Sequence, residues 1–246
     1  MPLEVPDHDP ATGLPVGRVV DPSPAPFPSR VTISGASVEL VPLDQSLHAD
    51  ALWEGLRGPA NDKLWRYLMD GPYADRASFD RAVEWRARSE DQVFFAILDA
   101  ASRRALGCAA LMRIDLPNRS IEVGNILYTP ELQRTRGATE AMYLLARHIF
   151  EELGYRRYEW KCDSLNAPSR RAALRLGFTY EGTFRQAMIN KGRNRDTAWF
   201  SILDGEWPAR RARLESWLDP ANFDREGQQK MALSELHVGG ESGAES

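Results

Sequence analysis

One stretch, residues 121–153, constrains this chain more than any other. Ile121, Glu122, Val123, Gly124, Asn125, Ile126, Leu127 and Tyr128 read as a strand, and a polar turn follows at residues 133–136. Residues 137–153 then give the best helix in the chain, with Met142, Leu145, Ile149 and Leu153 on one face and Gly154 placed as a C-terminal cap. A strand that passes through a polar turn into a helix aims unpaired N–H groups and the positive end of the helix dipole at one point, which is an anion site. Arg134 and Arg136 border that point, and the planar fork of arginine suits phosphate. A pyrophosphate is the expected guest; a plain connector is the other reading of the same turn.

The remaining chain is that of a soluble globular protein: 246 residues, 43% hydrophobic and 27% charged, hold enough apolar material for a sizeable core. A net charge of −4 argues against a generic binder of nucleic acid or anionic membrane. Cys108 and Cys162 are the only cysteines, both in apolar or strand-like segments; this excludes a disulfide scaffold, fits a reducing compartment and leaves a single bridge open. No stretch approaches the roughly 20 apolar residues of a membrane span. No basic and apolar leader begins the sequence. The cytoplasm is the expected location.

Eight of the sixteen prolines fall in residues 1–30, which read as an extended arm around the domain or a loose tail. Alternation begins at Val31, where the folded domain is expected to start. Helical spacing recurs at Leu47, Leu52 and Leu56 and at Phe79, Val83 and Trp85; residues 93–98 and 105–112 read as a hairpin leading into the strand before the turn. After the long helix come a strand (158–162) and a helix capped by Asn166 with Pro168 in its first turn and Gly177 as terminator. A hairpin around Gly192 follows, then a short amphipathic helix within residues 206–218. Residues 219–246 are polar and acidic and read as a frayed tail.

The helix after the turn carries Gln133-x-x-x-x-Ala138-Thr139-Glu140-Ala141, and the next unit carries Asn166-x-x-Ser169, seven residues, then Gly177-Phe178-x-x-Glu181-Gly182. This pair, in this order, resembles the two signature motifs of the GNAT superfamily of acyl-CoA-dependent N-acetyltransferases, most closely its RimJ/RimL-like branch. The likeness covers roughly residues 31–205. It implies a mixed α/β (α+β) fold, with a mostly antiparallel, splayed sheet flanked by helices on both faces. It also implies acetyl-CoA as co-substrate, with contacts at Ile126, Leu127, Tyr128, Gln133, Arg134, Arg136, Gly137, Ala138, Thr139, Asn166 and Ser169. The family's turn carries glycine where this chain has Arg136, and the arginine is expected to compensate by charge.

The resemblance makes Glu122 the candidate base, since transfer to an amine requires that the ammonium lose a proton. A solvent-facing or salt-bridged glutamate is the bland alternative. The family's usual proton-donating tyrosine is replaced by Ala173, so Ser169 inherits the acid role, with a helix-capping serine as its alternative. Trp65, Tyr67, Asp70 and Tyr73 form a candidate aromatic, acidic amine pocket or simply core, and Arg193 and Trp199 are further acceptor-side candidates. His8, His48, His148 and His237 are scattered and no metal is expected. Lys191, Arg193 and Arg195 could touch RNA, although a solvated turn explains them as well. The expected acceptor is a protein N-terminal amine, with a small-molecule amine close behind and a catalytically silent acyl-CoA-binding module as the different-class alternative. A homodimer is kept among the expected assembly states.

Overall fold

Hydrophobic alternation of period two along residues 93–98 puts Val93, Phe95 and Ile97 on one side of a strand and Phe94, Ala96 and Leu98 on the other, and both sides are buried. In the computed structural model, which describes residues 6–236, that strand lies inside an eight-stranded sheet. In chain order the strands are β1 (Asp7–His8), β2 (Pro15–Val16), β3 (Ile33–Ser34), β4 (Val38–Pro42), β5 (Val93–Asp99), β6 (Ala105–Asp115), β7 (Ser120–Tyr128), β8 (Arg157–Asp163), β9 (Thr179–Asn190) and β10 (Arg193–Leu203). The first two form a small ladder of their own; the main sheet has the order β3-β4-β5-β6-β7-β8-β10-β9. Every neighbouring pair is antiparallel except β7 and β8.

The helices are α1 (Gln45–Leu56), α2 (Arg76–Ala87), α3 (Arg136–Arg147), α4 (Ala167–Leu176) and α5 (Trp207–Leu218). Asp44, Asp75, Thr135 and Asn166 cap the first four, each side-chain oxygen accepting a backbone N–H of the first turn. Gly177 ends α4 in the left-handed region at φ 100°. Helices α1 and α2 cover one sheet face through Leu52, Leu56, Phe79 and Val83, and α3, α4 and α5 cover the other. The sheet is thus flanked on both faces, as expected. Leu47 and Trp85 are not part of these faces: they are exposed, and His48 and Arg86 are buried instead, because a 100° step per residue turns Leu47 and Trp85 off the stripe. Among the described residues no helix is long and apolar enough to cross a membrane, and both cysteines are free and buried.

Helix α3 is tied to the sheet edge by a charge. Buried Glu140 accepts the N–H groups of Ala36 (2.8 Å), Ser37 (2.6 Å) and Val38 (3.1 Å) in the turn between β3 and β4. Glu140→Ala strands those donors, and its expected cost is about 3 kcal/mol or more, read as a lower urea midpoint at an unchanged m-value.

Segments near both limits of the described residues also engage the body. Ala25 donates to the Leu116 carbonyl and Tyr155 Oη donates to the Pro26 carbonyl, so the proline-rich segment runs along the β6–β7 turn. The expected fraying from Asp219 does not hold for residues 219–236. Asn222 bonds the carbonyls of Trp217 and Met231 through Nδ2 and the N–H of Met231 through Oδ1; Leu233 is 1% exposed and Phe223 packs edge-on against Trp217. The polar composition supplies turn hydrogen bonds around a few apolar anchors. Residues 1–5 and 237–246, the rest of the expected arm and tail, lie outside the described residues.

Candidate active site

The parallel pairing of β7 with β8 runs from Ser120↔Arg157 to Val123↔Trp160 and stops there. Past that point β7 stays with β6 as far as Tyr128, and β8 stays with β10 as far as Asp163. The parting has a local cause. Between Gly124 and Leu127 strand β7 takes one residue more than β6, and Asn125 sits in the left-handed region at φ 49° with Nδ2 bonded to Gln92 Oε1 (3.1 Å). The V-shaped gap expected beside Ile126, Leu127 and Tyr128 is therefore present. Leu127 turns its side chain into the core beside Cys108, so only its backbone faces a ligand. Burial pushes the Tyr128 phenol well up, and its Oη donates to the Ala138 carbonyl at 3.4 Å.

The turn beyond the gap differs in part from expectation. Arg134 is exposed, with a left-handed backbone (φ 61°), and exposed Gln133 bonds the Tyr128 carbonyl. Thr135 accepts the Ala138 N–H, so that donor is already used. Arg136, by contrast, turns away: its guanidinium bonds the Leu218 carbonyl at the end of α5 and lies 4.8 Å above the Phe223 ring. Compensation by this charge for the missing glycine is thereby overturned. Gly137 is needed for packing, since a Cβ there would stand 2.8 Å from Val38 Cγ1. Thr139 is buried and accepts from Arg175 on α4 (2.9 Å). If the exposed Arg134 holds a phosphate of acetyl-CoA, as the family resemblance implies, Arg134→Ala is expected to weaken that binding about five- to tenfold. Arg136→Ala should leave that affinity within about twofold and lower stability by about 1–2 kcal/mol, checked by calorimetry and urea unfolding.

Helix α4 starts beside the gap. Asn166 Oδ1 accepts the Ser169 N–H (3.2 Å), and Trp160 Nε1 donates to Ser169 Oγ (2.9 Å). With Oγ accepting there, the hydroxyl keeps its own hydrogen for donation, and the Cys162 thiol is one acceptor within its reach. Ala173 is fully buried in the core and offers no substitute for a tyrosine.

Glu122 is one residue short of the parting, on the face opposite Ile121 and Val123, and is 2% exposed. Both of its oxygens lie 2.8 Å from Arg113 Nη1, and Oε2 lies 3.0 Å from Lys161 Nζ. Lys161 Nζ also meets Glu159 Oε2 (2.6 Å) and lies 3.8 Å from the Trp199 ring centroid. Arg157 joins Glu159 (2.6 Å) to Glu181 (2.8 and 2.5 Å), and Ser201 Oγ donates to Glu181. Hydrogen bonding from Arg157 holds the Glu181 carboxyl below the usual range. The result is a charge ladder across four strands. Arg113 reaches it because a register break and a left-handed backbone (φ 47°) at that residue re-aim its side chain. The sequence reading missed Arg113, Glu159 and Lys161. A signal was there: Arg157, Glu159 and Lys161 alternate with Tyr158, Trp160 and Cys162, a strand with one face wholly charged.

The acceptor-side candidates divide. Trp65 is 2% exposed and packs edge-on against Tyr73 (5.4 Å) and Phe79 (6.5 Å). Asp70 is taken by Arg86 and by Tyr73 Oη (2.6 Å). Burial raises the Tyr73 phenol. Of the amine-pocket candidates Trp65 is core, with only its edge reaching the cleft beside Lys191, while half-buried Tyr73 and the 41% exposed Asp70 carboxylate are paired with each other and with Arg86, which leaves no unpaired acid there for an amine. Tyr67 does reach the site, its Oη donating to the Leu165 carbonyl just before α4 (3.2 Å). Trp199 stacks on Phe184 (4.4 Å) and completes the ladder, while Arg193 is exposed at the start of β10. Lys191 pins the β9–β10 turn to the carbonyls of Trp65, Asp70 and Gly71 (2.7–2.8 Å). A cleft of about 520 Å³ lies there, lined by Lys63, Arg66, Tyr67 and Lys191 among others. A second, of about 710 Å³, lies between the start of β5 and the β6–β7 turn, with Arg113 in its wall.

A mostly antiparallel sheet with one parallel pair that parts after Val123, flanked by helices on both faces, is the fold of solved GNAT acetyltransferases. The chain belongs to the GNAT acetyltransferase family, whose acetyltransferase domain matches residues 37–179. A GCN5-related N-acetyltransferase from Brucella melitensis is 47% identical and superposes with a TM-score of 0.85 over 87% of this chain and 96% of that one. YdaF of Bacillus subtilis (strain 168), whose name proposes a ribosomal N-acetyltransferase, is 31% identical over 101 residues, 41% of this chain and 55% of that relative. The chain thus spans about half the length of this curated relative, and the likeness points to the RimJ/RimL-like branch. RimL, a ribosomal alpha-N-protein acetyltransferase, shares the fold at 21% identity and a TM-score of 0.60, over 70% of this chain and 94% of that one.

Proposed function

We propose that this protein transfers the acetyl group of acetyl-CoA directly to a primary amine, and that the amine is a protein N-terminal α-amine. The observation that carries the reading is the parting of β7 from β8 with Glu122 at its apex. The residues fit the co-substrate: the free edge of β7 at Ile126–Tyr128, the α3 N-terminus with Arg134, and Asn166 and Ser169 at the start of α4 would hold it, and it supplies the acetyl thioester. Glu122 is buried behind the half-exposed Arg113, so it takes the ammonium's proton through water or once Arg113 moves aside. Ser169 is our proposed acid: its hydroxyl would hydrogen-bond the departing sulfur and pass it a proton, which water replaces. An α-amine with a pKa of about 7.7–8.0 loses its proton to one carboxylate more easily than a lysine near about 10.4.

Calorimetric titration of the full chain with acetyl-CoA, CoA and dephospho-CoA is the first test. The expected result is saturable micromolar binding of acetyl-CoA. Thiol release is then measured with peptides beginning in alanine, serine and methionine; it should disappear when the same peptides carry a blocked N-terminus. No binding to a folded sample would overturn the transferase reading. Binding without release to any amine, small ones included, would leave a silent acyl-CoA module.

A further inference from the structure

Parallel register sets Glu122 directly opposite Glu159, so two buried carboxylates face each other across adjacent strands. Like charges so placed repel, and burial strengthens the repulsion. The cation that resolves it is Lys161, whose side chain is 7% exposed and whose Nζ lies 3.0 Å from one carboxylate and 2.6 Å from the other. It occupies the first position of β8 beyond the last β7–β8 pair, at the apex of the gap. The Trp199 ring backs the ammonium at 3.8 Å.

The two cations on Glu122 differ in kind. Arg113 is 43% exposed and has no other ion-pair partner among those the described residues show, so it can swing away at small cost. Lys161 cannot leave without cost: it is the one cation on both carboxylates, and without it Glu122 keeps only Arg113 and Glu159 only Arg157, with no charge between the two. Gly124 adds to the fit: a Cβ there would stand 3.3 Å from Glu122 Oε1. The other charges that face Glu122 are Glu159 and, from β10, buried Arg195; Arg157 and Glu181 act on it through Glu159.

We infer that Lys161 is a positioning residue for the transfer reaction: shared between Glu122 and Glu159, it fixes the Glu122 carboxylate at the apex and keeps it ionised until an amine delivers its proton. The inference rests on Glu122 being the base. It does not depend on which amine is the acceptor.

The test follows the carbon-13 signals of glutamate side-chain carboxyls in the full chain, with Glu122 assigned by its loss in Glu122→Gln. Removing a neighbouring cation makes a carboxylate easier to protonate. In Lys161→Met the Glu122 midpoint is expected to rise by at least about one pH unit, and in Lys161→Arg by less than half of that. The acid limb of the pH profile for peptide-dependent thiol release should move up with it. If Lys161→Met does not fold, the double variant Lys161→Met/Glu159→Gln is compared with Glu159→Gln alone, so that the two differ only in the Lys161 charge, and the same rise in the Glu122 midpoint is expected between them. An unmoved midpoint overturns the inference, as does a moved midpoint with an unmoved acid limb, which would make Lys161 structural only. If Glu122→Gln keeps full turnover, the base assignment itself fails and the inference falls with it; if that variant is inactive but Lys161→Met titrates like the natural chain, the inference alone fails.

Discussion

Glu122→Gln is expected to lower the turnover number for peptide-dependent thiol release by about 10²- to 10⁴-fold, the range for loss of a positioned general base. Affinity for acetyl-CoA should stay within about twofold, because the residues proposed to hold it lie on β7 past the parting, on the turn before α3 and on α4. The substitution keeps the shape of the side chain, and its amide oxygen can still accept from Arg113 or Lys161. Its NH₂ group, however, must face one of those cations, and the ladder loses a negative charge among three cations. Breaking a buried pair in this way costs about 3–5 kcal/mol, so thermal unfolding has to be followed beside the kinetics. Turnover that is lost while the folded fraction is unchanged assigns the effect to chemistry. Turnover that stays high and flat with pH removes Glu122 as the base and leaves the ladder a purely structural device.

How much of this could be read from sequence depends on the range of the interaction. The strand, turn and helix of residues 121–153 were legible because their signals are local: alternation, a polar turn, then helical spacing ended by a glycine. The Asn166 cap and the Gly177 terminator are of the same kind, and each is in place. The parting of β7 from β8 was legible only through the family resemblance. Its physical cause, the extra residue around Asn125, has no mark in composition. The direction of Arg136 could not be read at all, since Leu218 and Phe223 lie more than eighty residues on and Phe223 belongs to a segment whose polarity suggested fraying. Glu122 was legible as a catalytic glutamate or else a solvent-facing or salt-bridged one, but its partners on β6 and β8 follow from register. Register is a property of the assembled sheet.

Trp65 gives the sharpest separation between the two meanings of an aromatic cluster. A ring in a substrate pocket is partly open and its loss is felt by the acceptor; a ring in the core is felt by the fold. Trp65 is 2% exposed, lies edge-on to Tyr73 and Phe79, and belongs to the apolar cluster beneath α1 and α2. Its ring also lies against Gly71, where an added Cβ would come within 2.3 Å of it. Trp65→Ala is therefore expected to cost about 3–5 kcal/mol of stability, the usual toll of removing a buried indole, with acetyl-CoA affinity unchanged in the fraction that remains folded. Tyr67→Phe is the matching control: it deletes only the hydroxyl that bonds the Leu165 carbonyl, so stability should change by no more than about 1 kcal/mol while the KM for the acceptor rises. A stable Trp65→Ala variant that had lost only its acceptor would restore the amine pocket at residues 65–73, and the specificity of the enzyme would then have to be sought beneath α1 and α2 instead of along Tyr67 and Trp199.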